Sequence, residues 1–153
     1  MSMQMSALVL LVALGGSASE SATVYDSYKA AWQAGRDKNK PVLVIFNPGA
    51  DSTAPGVDLS QVRLASYRRD LLANYVVAVI DTSTPEGQAT HKLFESPPLP
   101  RISVLDKQQK WQIYRTSKAL SAEDWNLVLE KYQKGETPVV KAKPAYDCPY
   151  CNR

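Results

Sequence analysis

Five consecutive apolar residues, Val42 to Phe46, stand between Lys38-Asn39-Lys40-Pro41 and Asn47-Pro48-Gly49. Most of them are β-branched or aromatic, and breakers close the run at both ends. A run of that length reads as a strand buried on both faces, the usual condition of a parallel sheet inside an α/β domain. Val76 to Ile80 is a second such run. Ligands of α/β sheets sit at the carboxyl ends of strands, so the loop Asn47–Asp58 is the place to look for chemistry. It holds no nucleophile–base pair, no Gly-rich phosphate cradle and no metal-ligand cluster.

The remaining elements follow from periodicity. Tyr25, Tyr28, Trp32 and Gly35 recur at helical spacing and predict an amphipathic helix ending before Pro41. Leu59 to Ala73 predicts a second helix with Leu64, Tyr67 and Leu71 as its apolar stripe and with Arg63, Arg68 and Arg69 on a solvated face. Thr84-Pro85 opens a third, as a polar cap followed by proline in the first turn, running to about Glu95. Its one histidine, His91, reads as a solvated helix position. Arg101–Asp106 and Trp111–Thr116 are joined by four polar residues and predict a hairpin with Trp111 and Ile113 on one face. Ser121 with Asp124 resembles a capping box opening a last helix, whose stripe is Trp125, Val128, Leu129 and Tyr132.

A chain of 153 residues is one domain's worth, and a net charge of +3 without a concentrated basic face gives no case for nucleic acid. Residues 1–22 read as a secretory signal: an apolar run from Ala7 to Leu14 precedes the small residues Gly15 to Ser19, although Met1 to Ser6 lacks a basic residue. The run is too short for a permanent membrane span, and the expected destination is the periplasm or the exterior, with an uncleaved anchor as the alternative. Export would place the chain's two cysteines where disulfides persist.

In its order of elements, and in Lys38–Phe46, Val76–Asp81 and Leu99–Asp106, the stretch Tyr25–Gln133 resembles the exported thioredoxin-like domains of bacteria. The resemblance implies a three-layer α/β/α sandwich around a mixed sheet of about four strands, over residues 23–133. It implies a cis proline entering the hairpin and facing the active site, at Pro100, with Leu99 beside it. The family's Trp-Cys-x-x-Cys begins four residues after the strand's aromatic. Counted from Phe46, the nucleophilic position is Asp51 and the resolving position Ala54. Carboxylate and methyl side chains cannot replace a thiolate in disulfide exchange. The resemblance therefore implies a protein-binding groove at Asp51, Ala54, Leu99 and Pro100 without the customary redox chemistry, and no cofactor. Asp51, Ser52 and Asp58 read as turn and cap residues.

Residues 134–153 form a Pro- and Lys-containing tail ending in Cys148-Pro149-Tyr150-Cys151, a tetrapeptide similar to the glutaredoxin active site. In that family the motif opens a helix that assists the first thiolate, whereas only Asn152 and Arg153 follow here. Four readings of Cys148 and Cys151 stay open: a local disulfide, a pair active in thiol–disulfide exchange, capture of a soft ion such as Cu(I), and pairing with another protein's cysteines. Fully extended, the tail spans about 45–50 Å from Lys134 to Cys148, enough to reach the Asp51–Pro100 face. A protein partner or a thiol substrate is thus the expected ligand.

Overall fold

The computed structural model describes residues 21–137; residues 1–20 of the predicted signal and the cysteine-bearing end of the tail lie outside the described residues. The elements are β1 (Val24–Tyr25), α1 (Tyr28–Lys38), β2 (Val42–Asn47), α2 (Leu59–Val62), α3 (Ser66–Leu72), β3 (Val76–Asp81), α4 (Pro85–Leu93), β4 (Arg101–Leu105), β5 (Gln112–Thr116) and α5 (Ala122–Tyr132). They build one sheet in the order β1-β3-β2-β4-β5. β3 runs parallel to β1 and β2, and β4 antiparallel to β2 and β5. The sheet has five strands rather than about four. The extra one, β1, is two residues long and paired only to β3, so Tyr25 belongs to a strand and the helix begins at Tyr28.

Alternation along the central strands divides the core into two layers. Leu43 and Ile45 of β2 point to one face, with Val77, Ile102 and Val104, and meet Val62, Leu71, Leu72, Trp125 and Leu129 from the helices α2, α3 and α5. Val42, Val44 and Phe46 point to the other, with Val76, Ala78 and Ile80, and meet Ala31 of α1 and Phe94 just after α4. A strand buried on both faces has no polar positions to spare, which is why β2 reads as an unbroken apolar run.

The predicted helix Leu59–Ala73 is two helices. Ala65 takes an extended backbone conformation, φ −78° and ψ 132°, as the first residue outside α3. The break lets Arg68 donate from Nε to the Val62 carbonyl (2.7 Å) and Arg63 donate from Nη2 to the Ala22 carbonyl (2.9 Å). Two of the three arginines are thus bound to backbone rather than merely solvated. The stripe shifts accordingly: Leu64 and Tyr67 are 69% and 49% exposed, while Val62, Leu71 and Leu72 are buried.

The hairpin turn lacks glycine because Asp106 takes its place as organiser. Buried itself, its carboxylate accepts from the N–H groups of Lys110 (2.7 Å) and Trp111 (3.0 Å), while Gln109 holds φ 52°. A register shift at Val104/Leu105 then places both Ile113 and Tyr114 against the α5 layer. Strict alternation fails here, and Trp111, expected beside Ile113, lies ahead of β5 and is exposed. The capping box at α5 is formed: Ser121 Oγ accepts from the Asp124 N–H, and the Asp124 carboxylate accepts from the Ser121 N–H. Among the described residues no helix is long and apolar enough to cross a membrane.

Candidate functional site

The loop after β2 is closed by its own first residue. The Asn47 amide donates from Nδ2 to the Val57 carbonyl and accepts at Oδ1 from the Val57 N–H, both at 2.8 Å. The Asn47 carbonyl accepts twice from Thr82, from its N–H (3.0 Å) and its hydroxyl (2.9 Å). One asparagine therefore clips both ends of the loop together and ties them to the end of β3. Gly49 rests against Ser83; a Cβ there would come within 2.5 Å of the Ser83 Cβ, so the close approach requires glycine. Ser83 is itself held by Asp81, whose carboxylate accepts from the Ser83 N–H and hydroxyl and is kept below the usual carboxylate range by those bonds.

Within this frame Ser52 accepts at Oγ from the Ala54 N–H (3.1 Å), a turn contact. Asp58 caps α2, accepting from the Ser60 N–H (2.9 Å) and hydroxyl (2.6 Å), which lower its pKa. Asp51 and Ala54 are exposed. The Leu99–Pro100 bond is cis, and Pro100 is buried at the entrance to β4. Because Phe46 pairs with Arg101, the sheet sets Pro100 beside Asn47 and the root of the loop. Leu99 packs on the second core layer. Cys148 and Cys151 lie outside the described residues.

A groove of about 450 Å³ opens along the end of the loop, with Val57, Asp58 and Gln61 on one side and Ala119, Leu120 and Ala122 on the other, above Val62 and Trp125. Asp51, Ala54, Leu99 and Pro100 do not line it. Sequence reasoning missed this groove. The capping Asp58 marks where α2 starts, but the opposing wall comes from residues some sixty positions later, which only the topology brings near.

His91 is no base for the loop. It is half-buried, its ring lies 5.6 Å from that of Phe46, and its Nε2 is 2.8 Å from the Pro97 carbonyl. A carbonyl only accepts, so Nε2 carries the proton. The expected solvated position is corrected to one that braces the Pro97–Pro100 turn. Among the described residues no group of three or more His, Cys, Asp or Glu is placed to hold a metal ion.

No family model and no curated protein matches the chain. Solved structures do. A thioredoxin from Thermus thermophilus is 19% identical with a TM-score of 0.58, over 72% of this chain and 86% of that one. A mutant thioredoxin from Halobacterium salinarum NRC-1 is 20% identical with a TM-score of 0.55, over 78% and 96%. A chain of a complex of ferredoxin:thioredoxin reductase and thioredoxin f2 is 14% identical with a TM-score of 0.50, over 74% and 96%. The fold is thioredoxin-like: a mixed five-stranded sheet with flanking helices.

Proposed function

We propose that this chain is an exported thioredoxin-fold module that binds a protein partner at the face formed by the Asn47–Asp58 loop and the cis Leu99–Pro100 turn, without thiol exchange in that loop. The observation that carries it is the loop itself. Where thiol exchange would need sulfur, Asp51 and Ala54 stand exposed, and the Asn47 clip gives the loop a fixed form. The adjoining groove beside Val57 and Leu120 offers apolar surface for a side chain of an extended segment. The test is selection of peptides from a displayed library on the mature protein. A selected peptide should lose at least about tenfold in affinity when Val57→Glu or Leu120→Glu charges the groove, and be indifferent to Cys148→Ser.

A second reading rests on Cys148-Pro149-Tyr150-Cys151, the chain's only sulfur pair. In it, one thiolate attacks a substrate disulfide and the other cysteine resolves the mixed disulfide, leaving substrate dithiol and an oxidised pair. An insulin-reduction assay separates the two. Turnover that disappears in Cys148→Ser supports exchange, and no turnover in either form supports binding alone. A Cu(I) titration followed by mass spectrometry addresses soft-metal capture by the same pair.

A further inference from the structure

The opposite face of the sheet carries a second surface. Its helices, α1 and α4, pack chiefly on β3 and β2; toward the sheet edge Ser103 of β4 is buried, while Gln112 and Arg115 of β5 are exposed. Arg101 and Ser103 of β4 share that face with Arg115 of β5, since Ser103 pairs with Arg115 and Ile102 and Val104 point the other way. Arg101 donates from Nε to Ser103 Oγ (3.2 Å) and from Nη1 to Ser117 Oγ (3.3 Å), hydroxyls that bring no charge. Burial and the neighbouring Arg115 lower its pKa, and Glu95 is the carboxylate that acts on it, through space. Two arginines on neighbouring strands of one face, with no carboxylate hydrogen-bonded to them among the described residues, are an electrostatic deficit that an anionic partner would relieve.

Next to the arginines lies a cleft of mixed polar and apolar lining. Ser103 donates to Gln112 Oε1 (3.3 Å), and Gln112 lines a cleft of about 380 Å³ with Tyr28, Phe94, Gln109, Lys110 and Trp111. Trp111 is 63% exposed at its edge, and Leu93, which also lines it, is 75% exposed. Gln109 donates from Nε2 to the carbonyls of Lys40 (3.2 Å) and Lys107 (3.1 Å), which fixes its orientation and leaves Oε1 buried without a partner among the described residues. A large exposed aromatic, an exposed leucine and the three cations Arg101, Arg115 and Lys110 ask for a ligand that supplies apolar side chains and carboxylates together.

The geometry points to this surface as a docking site for an acidic, apolar-containing segment of another protein. The chain's own ends do not fit that description. Residues 1–20 contain one carboxylate side chain, Glu20, and residues 138–153 contain Asp147 against Lys141, Lys143 and Arg153. The surface is separate from the loop and groove of the proposed function, so each can fail without the other.

The test uses the full chain and a fluorescein-labelled peptide alternating Glu or Asp with Leu and Trp, followed by fluorescence anisotropy. Saturable binding is expected, weakening with added salt, falling at least about tenfold in the Arg101→Gln/Arg115→Gln double variant and also falling in Trp111→Ser. A peptide with Gln and Asn in place of the acids should bind far more weakly. Equal binding of the neutral peptide, indifference to these substitutions, or tighter binding to anionic phospholipid vesicles than to the peptide would overturn the proposal. Circular dichroism melts of the variants, with Val57→Glu as a control that leaves this binding unchanged, separate lost contacts from lost folding.

Discussion

On one face of the sheet the helices α2, α3 and α5 reach every strand from β3 to β5, so that Leu43, Ile102, Val104, Ile113 and Tyr114 all find helical partners. On the other, the buried cluster ends at Leu105 and takes nothing from β5. The cause lies in a few residues. The bulge at Val104/Leu105 turns both Ile113 and Tyr114 towards α5, and it leaves polar Gln112 and Arg115 on the open side. A closed face fixes the fold, whereas an open one with charge and an exposed tryptophan is free to recognise something. Substitutions should therefore cost stability on the first face and binding on the second.

The largest effect is expected at Trp125, buried on the closed face beside the loop groove. Trp125→Ala should lower stability by about 3–5 kcal/mol, from lost burial and the cavity left behind. Chemical denaturation measures it; a loss below about 1 kcal/mol would falsify the idea that α5 seals this face. Next comes Gly87, at the start of α4, where a Cβ would overlap the Asp81 carbonyl oxygen. Gly87→Ala should cost about 1–3 kcal/mol, because rigid backbone must move. It should also disturb the Asp81–Ser83 support of the loop, seen as shifted amide resonances at Gly49 and Asn47.

Much of this architecture was legible in the chain. β2 and β3 announce themselves because burial on both faces leaves no polar position, and Thr84 and Ser121 mark helix starts because their hydroxyls cap locally, Thr84 accepting from the Gly87 N–H at 3.0 Å. What depends on distant partners was not legible. β1 is too short to show a period, the break at Arg63–Ala65 is stabilised by bonds from Arg63 and Arg68 to carbonyls elsewhere, and the bulge erases the alternation that had set Trp111 beside Ile113. At the candidate site, the residues that resemblance singled out were Asp51 and Ala54. Asn47, which gives the loop its form, reads in sequence only as the polar end of a strand.

A smaller effect sharpens the contrast through pH. Tyr75 is buried on the closed face and donates its hydroxyl to the Leu129 carbonyl at 2.7 Å. Burial, with a lesser effect of Tyr132, holds its pKa well above the ordinary phenol value of 10.0. Above that ordinary value the unfolded chain sheds this proton while the folded chain keeps it. The folded state then binds more protons, so stability is full below a pH of about 10 and declines as pH rises beyond it. Tyr75→Phe should cost about 1 kcal/mol near neutrality for the lost hydrogen bond and should flatten the alkaline decline. Denaturation curves across the alkaline range give both numbers.

The smallest expected change in stability is on the open face. Trp111 stands ahead of β5, 63% exposed, with only its backbone engaged in the Asp106 turn: its N–H donates to the Asp106 carboxylate and its carbonyl accepts from the Asp106 N–H. Replacing its side chain removes no hydrogen bond of the turn and opens no cavity in either core layer. Trp111→Ser should therefore shift stability by no more than about 0.5 kcal/mol. A buried tryptophan on the other face costs several times that. Equal losses at Trp111 and Trp125 in the same denaturation series would mean that the indole of Trp111 is part of the core and that the face is closed after all. A near-zero loss at Trp111, combined with weakened capture of an acidic peptide, would mean that the side chain is held out for contact rather than for folding.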